Sequence, residues 1–368
     1  MVFELVPYLF VFSISVLMIS YGTKCRKNAN NGIIMLLLCA LPVVLLYGLR
    51  EGIGTDYYAY EEIYRSLHNS SFTEYLSLHA AGTRLYYVEI GFYLLNKIAF
   101  SYRCLLFIEI FIILVPLLYV SYKLKSKINV GFAIYIYLCI YFIYSMNGVR
   151  FAIALSFVFV GIYCLLEEKY IKFFLWILIA YLFHTSMLVC FLFIFLKDFN
   201  NRQITRVRDV ILFIFVCVFP IISNYLMSLI SKITVFQRYF LTSLYTENTS
   251  TGLSFIWIIH IVPVLLPILL LYWKEIKEDC NTRILLRIAI LEIPFRILGL
   301  SNTFLTRLTR IPQLSLIILI PYVINQYAQK NKTFLYIYYI LWYTFYFGYY
   351  AIVNDAGDSL PYISMFNM

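Results

Sequence analysis

Apolar runs close to the length of a membrane crossing recur along the whole chain, and no other property of the sequence restricts its fold so tightly. A helix needs about 20 predominantly apolar residues to span the hydrocarbon core of a bilayer. Runs of this kind cover residues 2–21, 32–49, 103–122, 129–146, 149–166, 209–229, 256–273, 283–300, 304–327 and 333–353. A backbone in lipid must satisfy its own hydrogen bonds, so the runs predict helices and an all-α, polytopic integral membrane protein. Composition agrees. Of the 368 residues, 62% are hydrophobic and 13% charged, whereas a soluble domain has roughly half and a quarter.

The charges give the topology. The net charge of +10 is spread in short clusters between apolar runs, which is the positive-inside pattern and not a nucleic-acid-binding block. Residues 1–21 have Glu4 near the start and are followed by Lys24, Arg26 and Lys27. That marks an uncleaved first helix with its N-terminus outside, rather than a signal peptide. The eight cysteines are scattered singly, with no Cys/His cluster. They suggest neither a disulfide framework nor a zinc site.

Two segments resist simple assignment. Residues 86–100 are apolar but short, and a crossing there would place Lys123, Lys125 and Lys127 outside. With the Tyr-rich helix from Asp56 to Leu67, they are expected to lie on the outer surface as amphipathic elements. Residues 171–196 form one apolar run broken by His184-Thr185-Ser186. A single tilted crossing there would invert every later loop. Two short helices that enter, turn at His184 and return restore the charge pattern and put His184 at membrane depth against a cavity. The expectation is about 11–12 membrane helices counting this hairpin, in one transmembrane domain over 1–368. Loops at 50–102 and 230–255 would contribute to a site, and both termini would lie outside.

On this topology the cytoplasmic loops hold 12 lysines and 6 arginines, and the outer half holds 2 lysines and 9 arginines. Orientation explains the first set only. Arginine inside the apolar zone costs about 2.5–3.5 kcal/mol on insertion scales, so such residues usually have a partner. Arg50, Arg150, Arg238, Arg296, Arg307 and Arg310 fall at or near outer helix ends. A guanidinium matches phosphate oxygens bidentately, so the enrichment points to an anionic, phosphorylated ligand. Arg296 follows Glu292 by four residues and pairs with it as the plainer reading. Arg65 and Arg84 are expected to be solvated, as are Asp355 and Asp358.

The stretch Gly48–Tyr60 is the most site-like. Arg50 and Asp56 bracket Gly52 and Gly54, which permit backbone conformations closed to other residues. An ordinary membrane-exit turn with a snorkelling arginine is the competing reading, and for Asp56 an N-cap of the helix that starts at Tyr57. Arg150 follows Asn147-Gly148 at a tight link between two spans. Arg307 and Arg310 share a helix face and precede Pro312, where a kink would make room for a ligand. Glu109 lies within a span and needs a polar partner the sequence does not name. A phosphorylated ligand among arginines and aromatics suggests a lipid-diphosphate sugar carrier. Asp56 and His184 are then the candidate bases, and the arginines stabilise the leaving diphosphate. No DxD or His/Asp/Glu spacing suggests a metal, and no cofactor is indicated.

The combined pattern resembles the EpsG-type family of Wzy-like exopolysaccharide and O-antigen polymerases. The matching stretches are Arg50 with Gly54-Thr55-Asp56-Tyr57 and Tyr60, then Asn147-Gly148-Val149-Arg150-Phe151-Ala152-Ile153-Ala154, Phe183-His184-Thr185-Ser186-Met187 and Arg307-Leu308. The resemblance implies a GT-C-like inner-membrane glycosyltransferase that joins oligosaccharide repeat units carried on undecaprenyl diphosphate. Its active site would face the periplasm or exterior. By position it implies Asp56 and His184 as catalytic residues. Arg50, Arg150 and Arg307 would bind substrate, with Tyr57 and Tyr60 of the matching stretch beside them; the outer-face position of Arg238 and Arg310 makes these two further candidate substrate contacts. The partners implied are the lipid-linked donor and acceptor, membrane lipid and a chain-length regulator. Ile311-Pro312-Gln313 departs from the family pattern and leaves open which of Arg307 and Arg310 grips the diphosphate. Other readings are an O-antigen ligase, a membrane O-acyltransferase, or a flippase or exporter of lipid-linked glycan. The absence of an internal repeat in the sequence disfavours transport.

Overall fold

A computed structural model describes residues 2–25, 29–82, 88–198, 202–230, 256–301, 303–353 and 357–366. Arg84, Arg238, Asp355 and the loop expected at 230–255, from residue 231 onward, lie outside the described residues. Among the described residues the chain is helical, with no strand beyond a single bridge between Arg50 and Ser364. Five helices among the described residues are long and apolar enough to cross a membrane, so the chain is an all-α, multi-pass membrane protein. It forms two compact units, one of Met1–Phe191 with Ile324–Met368 and the other of Leu192–Val323.

The first unit begins with α1 (Val6–Cys25), followed by α2 (Ala29–Cys39) and α3 (Leu41–Gly48). The run at 32–49 is therefore two helices instead of the single span expected. Pro42 supplies the reason, since it has no N–H to donate back into the preceding turn and serves instead in the first turn of α3. Next come α4 (Tyr57–Asn69), α5 (Phe72–Ala80) and α6 (Ile90–Ile98), the short helices of the 50–102 segment. In α4 the buried positions are Tyr57, Tyr60, Tyr64 and Leu67, a helical stripe. The stripe is covered by protein. Tyr60 packs on Phe92 of α6 at 5.5 Å between ring centroids, and the Tyr64 hydroxyl donates to the Ala99 carbonyl at 3.0 Å.

The centre of this unit is α7 (Tyr102–Lys123), α8 (Val130–Asn147) and α9 (Val149–Leu166). Nearly every residue of α8 and α9 is buried, as expected for helices apolar all round. Phe142 of α8 meets Tyr8 and Phe12 of α1, and Phe12 meets Phe347 near the C-terminus, with ring centroids 5.1–6.1 Å apart. The broken run starts with α10 (Tyr170–Tyr181) and continues after His184 as a 3-10 helix, Thr185–Leu196. The Phe174 and Phe191 rings lie 5.4 Å apart. In one continuous helix those positions would be separated by about 25 Å, so the chain turns back on itself at His184.

The second unit contains α11 (Arg202–Ile230), α12 (Ile256–Glu278), α13 (Cys280–Ile290) and α14 (Glu292–Ser301). The expected span at 283–300 is thus divided at Leu291. A 3-10 turn, Thr303–Thr309, leads into α15 (Arg310–Gln313) and α16 (Leu316–Gln326), so the run at 304–327 is irregular around Pro312. The last helix, α17 (Lys332–Ile352), belongs to the first unit.

The tail docks, which the sequence did not suggest. Asp358 is exposed as expected, but the Glu51 N–H donates to the Ile363 carbonyl and the Met365 N–H to the Leu49 carbonyl, both at 3.0 Å. The Tyr362 hydroxyl donates to the Leu46 carbonyl at 2.9 Å. The Tyr8 hydroxyl holds the Ser359 carbonyl at 2.7 Å.

Candidate active site

The Gly48–Tyr60 stretch is a shaped loop. Gly52 and Gly54 have φ of +63° and +111°, values that disfavour residues with a Cβ. A Cβ on Gly54 would sit 3.0 Å from Asn147 Oδ1 and from the Met146 carbonyl oxygen, so the loop is pressed against the end of α8. The Thr55 hydroxyl fastens it there by donating to Asn147 Oδ1 at 3.2 Å. Asp56 stands at the N-cap position of α4, yet its side chain makes no capping hydrogen bond. The capping role weighed for this carboxylate is therefore not its use in the fold.

Three residues beyond Asn147, Arg150 stands in the first turn of α9. Its Nη1 donates to Glu89 Oε2 at 2.6 Å, and both side chains are partly exposed. Tyr60 lies within hydrogen-bonding reach of the same guanidinium. The second oxygen of Glu89 accepts from the Thr185 N–H at 3.3 Å. One carboxylate thus ties the start of α9 to the turn of the broken hairpin. Gly91 permits this approach, since its N–H donates to the Leu182 carbonyl at 2.8 Å and a Cβ there would fall 2.7 Å from that oxygen.

His184 is buried against Phe151, with ring centroids 4.9 Å apart and edge to face. Its Nδ1 accepts from the Ser186 N–H at 3.4 Å and lies 2.8 Å from the Ser186 hydroxyl. The ring is thus tied to its own turn through Nδ1.

Arg50 is placed differently. It is 1% exposed, its guanidinium carbon lies 3.8 Å from the Tyr47 ring centroid, and Nη1 donates to the Tyr47 carbonyl at 3.1 Å. Its Nε has no hydrogen-bond partner among the described residues. The partner that Glu109 requires is the Tyr47 hydroxyl at 3.3 Å, which also lies 3.0 Å from the Ser145 carbonyl. The single Tyr47 hydroxyl proton is shared between these two acceptors. Arg103 holds the loop from outside by donating to the Gly48 carbonyl at 3.0 Å, the Arg50 carbonyl and the Glu51 carboxylate. Tyr57 is buried, its ring packs on Tyr102, and its carbonyl accepts from the Tyr102 hydroxyl at 2.8 Å. Burial pushes the Tyr57 phenol up to about 12, so it stays protonated.

Contacts thus connect the Thr55–Tyr60 stretch, Asn147–Arg150 and His184–Ser186 at one end of the first unit, with Glu89 as the joint. Sequence reasoning passed over Glu89. The available signal was a lone carboxylate at the head of an otherwise apolar stretch.

Within the second unit, Glu292 is buried and accepts from Arg296 Nε at 2.8 Å and Gln313 Nε2 at 2.6 Å. The expected Glu292–Arg296 pair is present. Arg310 is buried and donates to Gln313 Oε1 at 3.3 Å, which commits it to this chain of contacts, whereas Arg307 is partly exposed. Among the described residues no three His, Cys, Asp or Glu side chains gather into a set able to hold a metal ion.

A family model described as the EpsG family matches residues 33–364, nearly the whole chain. Comparison with curated proteins and with solved structures finds no match.

Proposed function

The chain belongs to the EpsG family, membrane proteins of polysaccharide-polymerase type, and from that premise we propose that it is a glycosyltransferase that lengthens a lipid-linked glycan. The substrate is an oligosaccharide repeat unit on undecaprenyl diphosphate, and the reaction takes place at the non-cytosolic face of the inner membrane. The observation that carries this reading is the set of contacts that ties Thr55, the residue before Asp56, to Asn147, and Arg150 through Glu89 to the His184 turn. It brings a cation, a carboxylate and the turn that carries an imidazole together from four stretches of chain.

In the proposed reaction an acceptor hydroxyl oxygen attacks the anomeric carbon of the donor sugar. The bond from that carbon to the diphosphate oxygen breaks, and its electron pair leaves with the diphosphate. Arg150 meets the growing negative charge, a role in which prepositioned cations are effective because the site is partly screened from water. Asp56 takes the hydroxyl proton, since its carboxylate is not committed to capping α4. His184 has Nδ1 turned to Ser186, which suits it to shaping the hairpin turn.

The test is incubation of purified protein in lipid nanodiscs with a synthetic undecaprenyl-diphosphate repeat unit. A ladder of longer products supports the polymerase. A single transfer to another acceptor would make the protein a ligase, and no transfer at all would end the glycosyltransferase reading.

A further inference from the structure

A pocket of about 250 Å³ opens beside Glu89, between α5, the entry to α6 and the hairpin turn. Its chemistry is mixed. Tyr75, Leu76 and Tyr181 give it aromatic and aliphatic walls, and Glu89, Thr185 and His79 place polar groups at its edge. Tyr75 is fixed from behind, stacked on Tyr93 at 4.2 Å with its hydroxyl donating to the Val88 carbonyl at 2.8 Å. Its ring wall therefore does not collapse when the pocket is empty. A few polar groups set in an apolar, aromatic lining is the usual composition of a small-ligand site.

We propose that this pocket holds the terminal sugar ring of the acceptor glycan and that Glu89 binds that ring's hydroxyls. The inference rests on the polymerase reading and gives it a second substrate site. A pyranose has a C–H face to lie on an aromatic wall and a rim of hydroxyls to donate to a carboxylate. Each carboxylate oxygen has two acceptor sites. Glu89 spends one on Arg150 and one on the Thr185 N–H, which leaves both oxygens able to take a sugar hydroxyl. The same carboxylate repels a diphosphate, so the anionic part of a donor is excluded from the pocket and directed to the arginine side. A prenyl tail is a poor occupant too, because it would strip water from Glu89 and offer no hydrogen bond in exchange. Glu89 thereby sets the acceptor one carboxylate away from the guanidinium that faces the donor.

The test uses two variants of exposed lining residues, Leu76→Trp to fill the pocket and Tyr181→Ala to remove a wall. Both positions are more than one-third exposed, and neither belongs to the proposed diphosphate or base machinery. Saturation-transfer NMR on the protein in nanodiscs, with a panel of methyl pyranosides, should show transfer to at least one sugar. Leu76→Trp should weaken that signal about tenfold, and inorganic pyrophosphate should leave it unchanged. In the elongation assay the same variant should raise the KM for acceptor about tenfold with little change in kcat. No binding by any pyranoside, binding unaffected by Leu76→Trp, or displacement by undecaprenyl monophosphate would each overturn the proposal. If the wild type makes a ladder that Leu76→Trp leaves untouched, the acceptor pocket falls and the polymerase stands. If pyranosides bind in the pocket but no ladder forms, the sugar site stands and the polymerase falls.

Discussion

Two groups of arginines in this protein meet carboxylates in opposite ways. In the first unit Arg150 faces the single carboxylate of Glu89, which is itself shared with a backbone N–H, and both side chains keep access to solvent. In the second unit Arg208, Arg283 and Arg287 close on Asp198 and Asp209. Arg287 alone donates to Asp198 Oδ1 at 2.6 Å, both oxygens of Asp209 at 2.9 and 3.0 Å, and the Leu196 carbonyl at 3.0 Å. Arg208 and Arg283 reach Asp198 at 3.1 and 2.7 Å. A guanidinium surrounded by protein acceptors on every edge is a staple between segments. One that shares a partly exposed carboxylate can exchange it for a ligand phosphate. Arginine abundance does not distinguish the two; the acceptors around each guanidinium do.

The comparison breaks most visibly at the carboxylates. Asp56→Asn should lower elongation by about 10²–10⁴-fold, the usual loss on removing a general base, while the melting temperature stays near wild type. Asp198→Asn should do the reverse. The ladder assay and a thermal melt on each variant read both effects, and an active Asp56→Asn enzyme would remove Asp56 from the chemistry.

At the arginines the expected effect is next in size. Arg150→Lys keeps the charge and loses the planar fork, so elongation should fall by about 10²-fold. Arg287→Lys should instead lower stability and leave the activity of the folded fraction near wild type. Full elongation by Arg150→Lys would mean that bidentate grip on the diphosphate is the wrong explanation for that residue.

Much of the scaffold was legible because hydropathy reports directly on what a helix faces. The long apolar runs, the break at His184 and the Glu292–Arg296 pair all have local signatures. The joint at Glu89 does not, because its partner Arg150 is 61 positions away and charge patterning speaks only for neighbours three or four residues apart. Arg50 shows the same limit. Its glycine-rich setting suggested an accessible binding group, but the docked tail and Tyr47 bury it, and a sequence does not show which later segment will fold back over a loop. Pro42 was visible, but the apolar run around it masked the helix break.

The Asp198 cluster gives a smaller, pH-dependent effect. Burial alone would raise the Asp198 carboxyl, but hydrogen bonds from Arg283 and Arg208, with the charge and hydrogen bond of Arg287, hold it down at about 2. A carboxyl depressed in the folded state contributes stability above its unfolded pKa of about 4, and loses it as pH falls toward 2. Melting of the wild type should therefore decline across that window, and Asp198→Asn should be flatter there. At neutral pH the variant should be less stable by about 2 kcal/mol, the scale of a hydrogen bond to a charged group. A parallel decline in both proteins would show that other carboxylates govern acid unfolding.

The smallest effect separates backbone strain from packing in the loop that carries Asp56. Gly54 and Gly82 both have positive φ, +111° and +73°, but only Gly54 is pressed against Asn147 and Met146, whereas Gly82 has nothing within 4 Å of an added Cβ. Gly82→Ala should lose only the backbone term, about 1 kcal/mol. Gly54→Ala adds a contact that Asn147 and the Met146 carbonyl must yield to, so it should lose more and should slow elongation by shifting Asp56 from its place. If the two substitutions cost the same and elongation is unchanged in both, the loop is not held by its packing on α8. Asp56 would then be positioned by the Thr55–Asn147 hydrogen bond, and Thr55→Ala should in that case carry the loss of activity that Gly54→Ala fails to show.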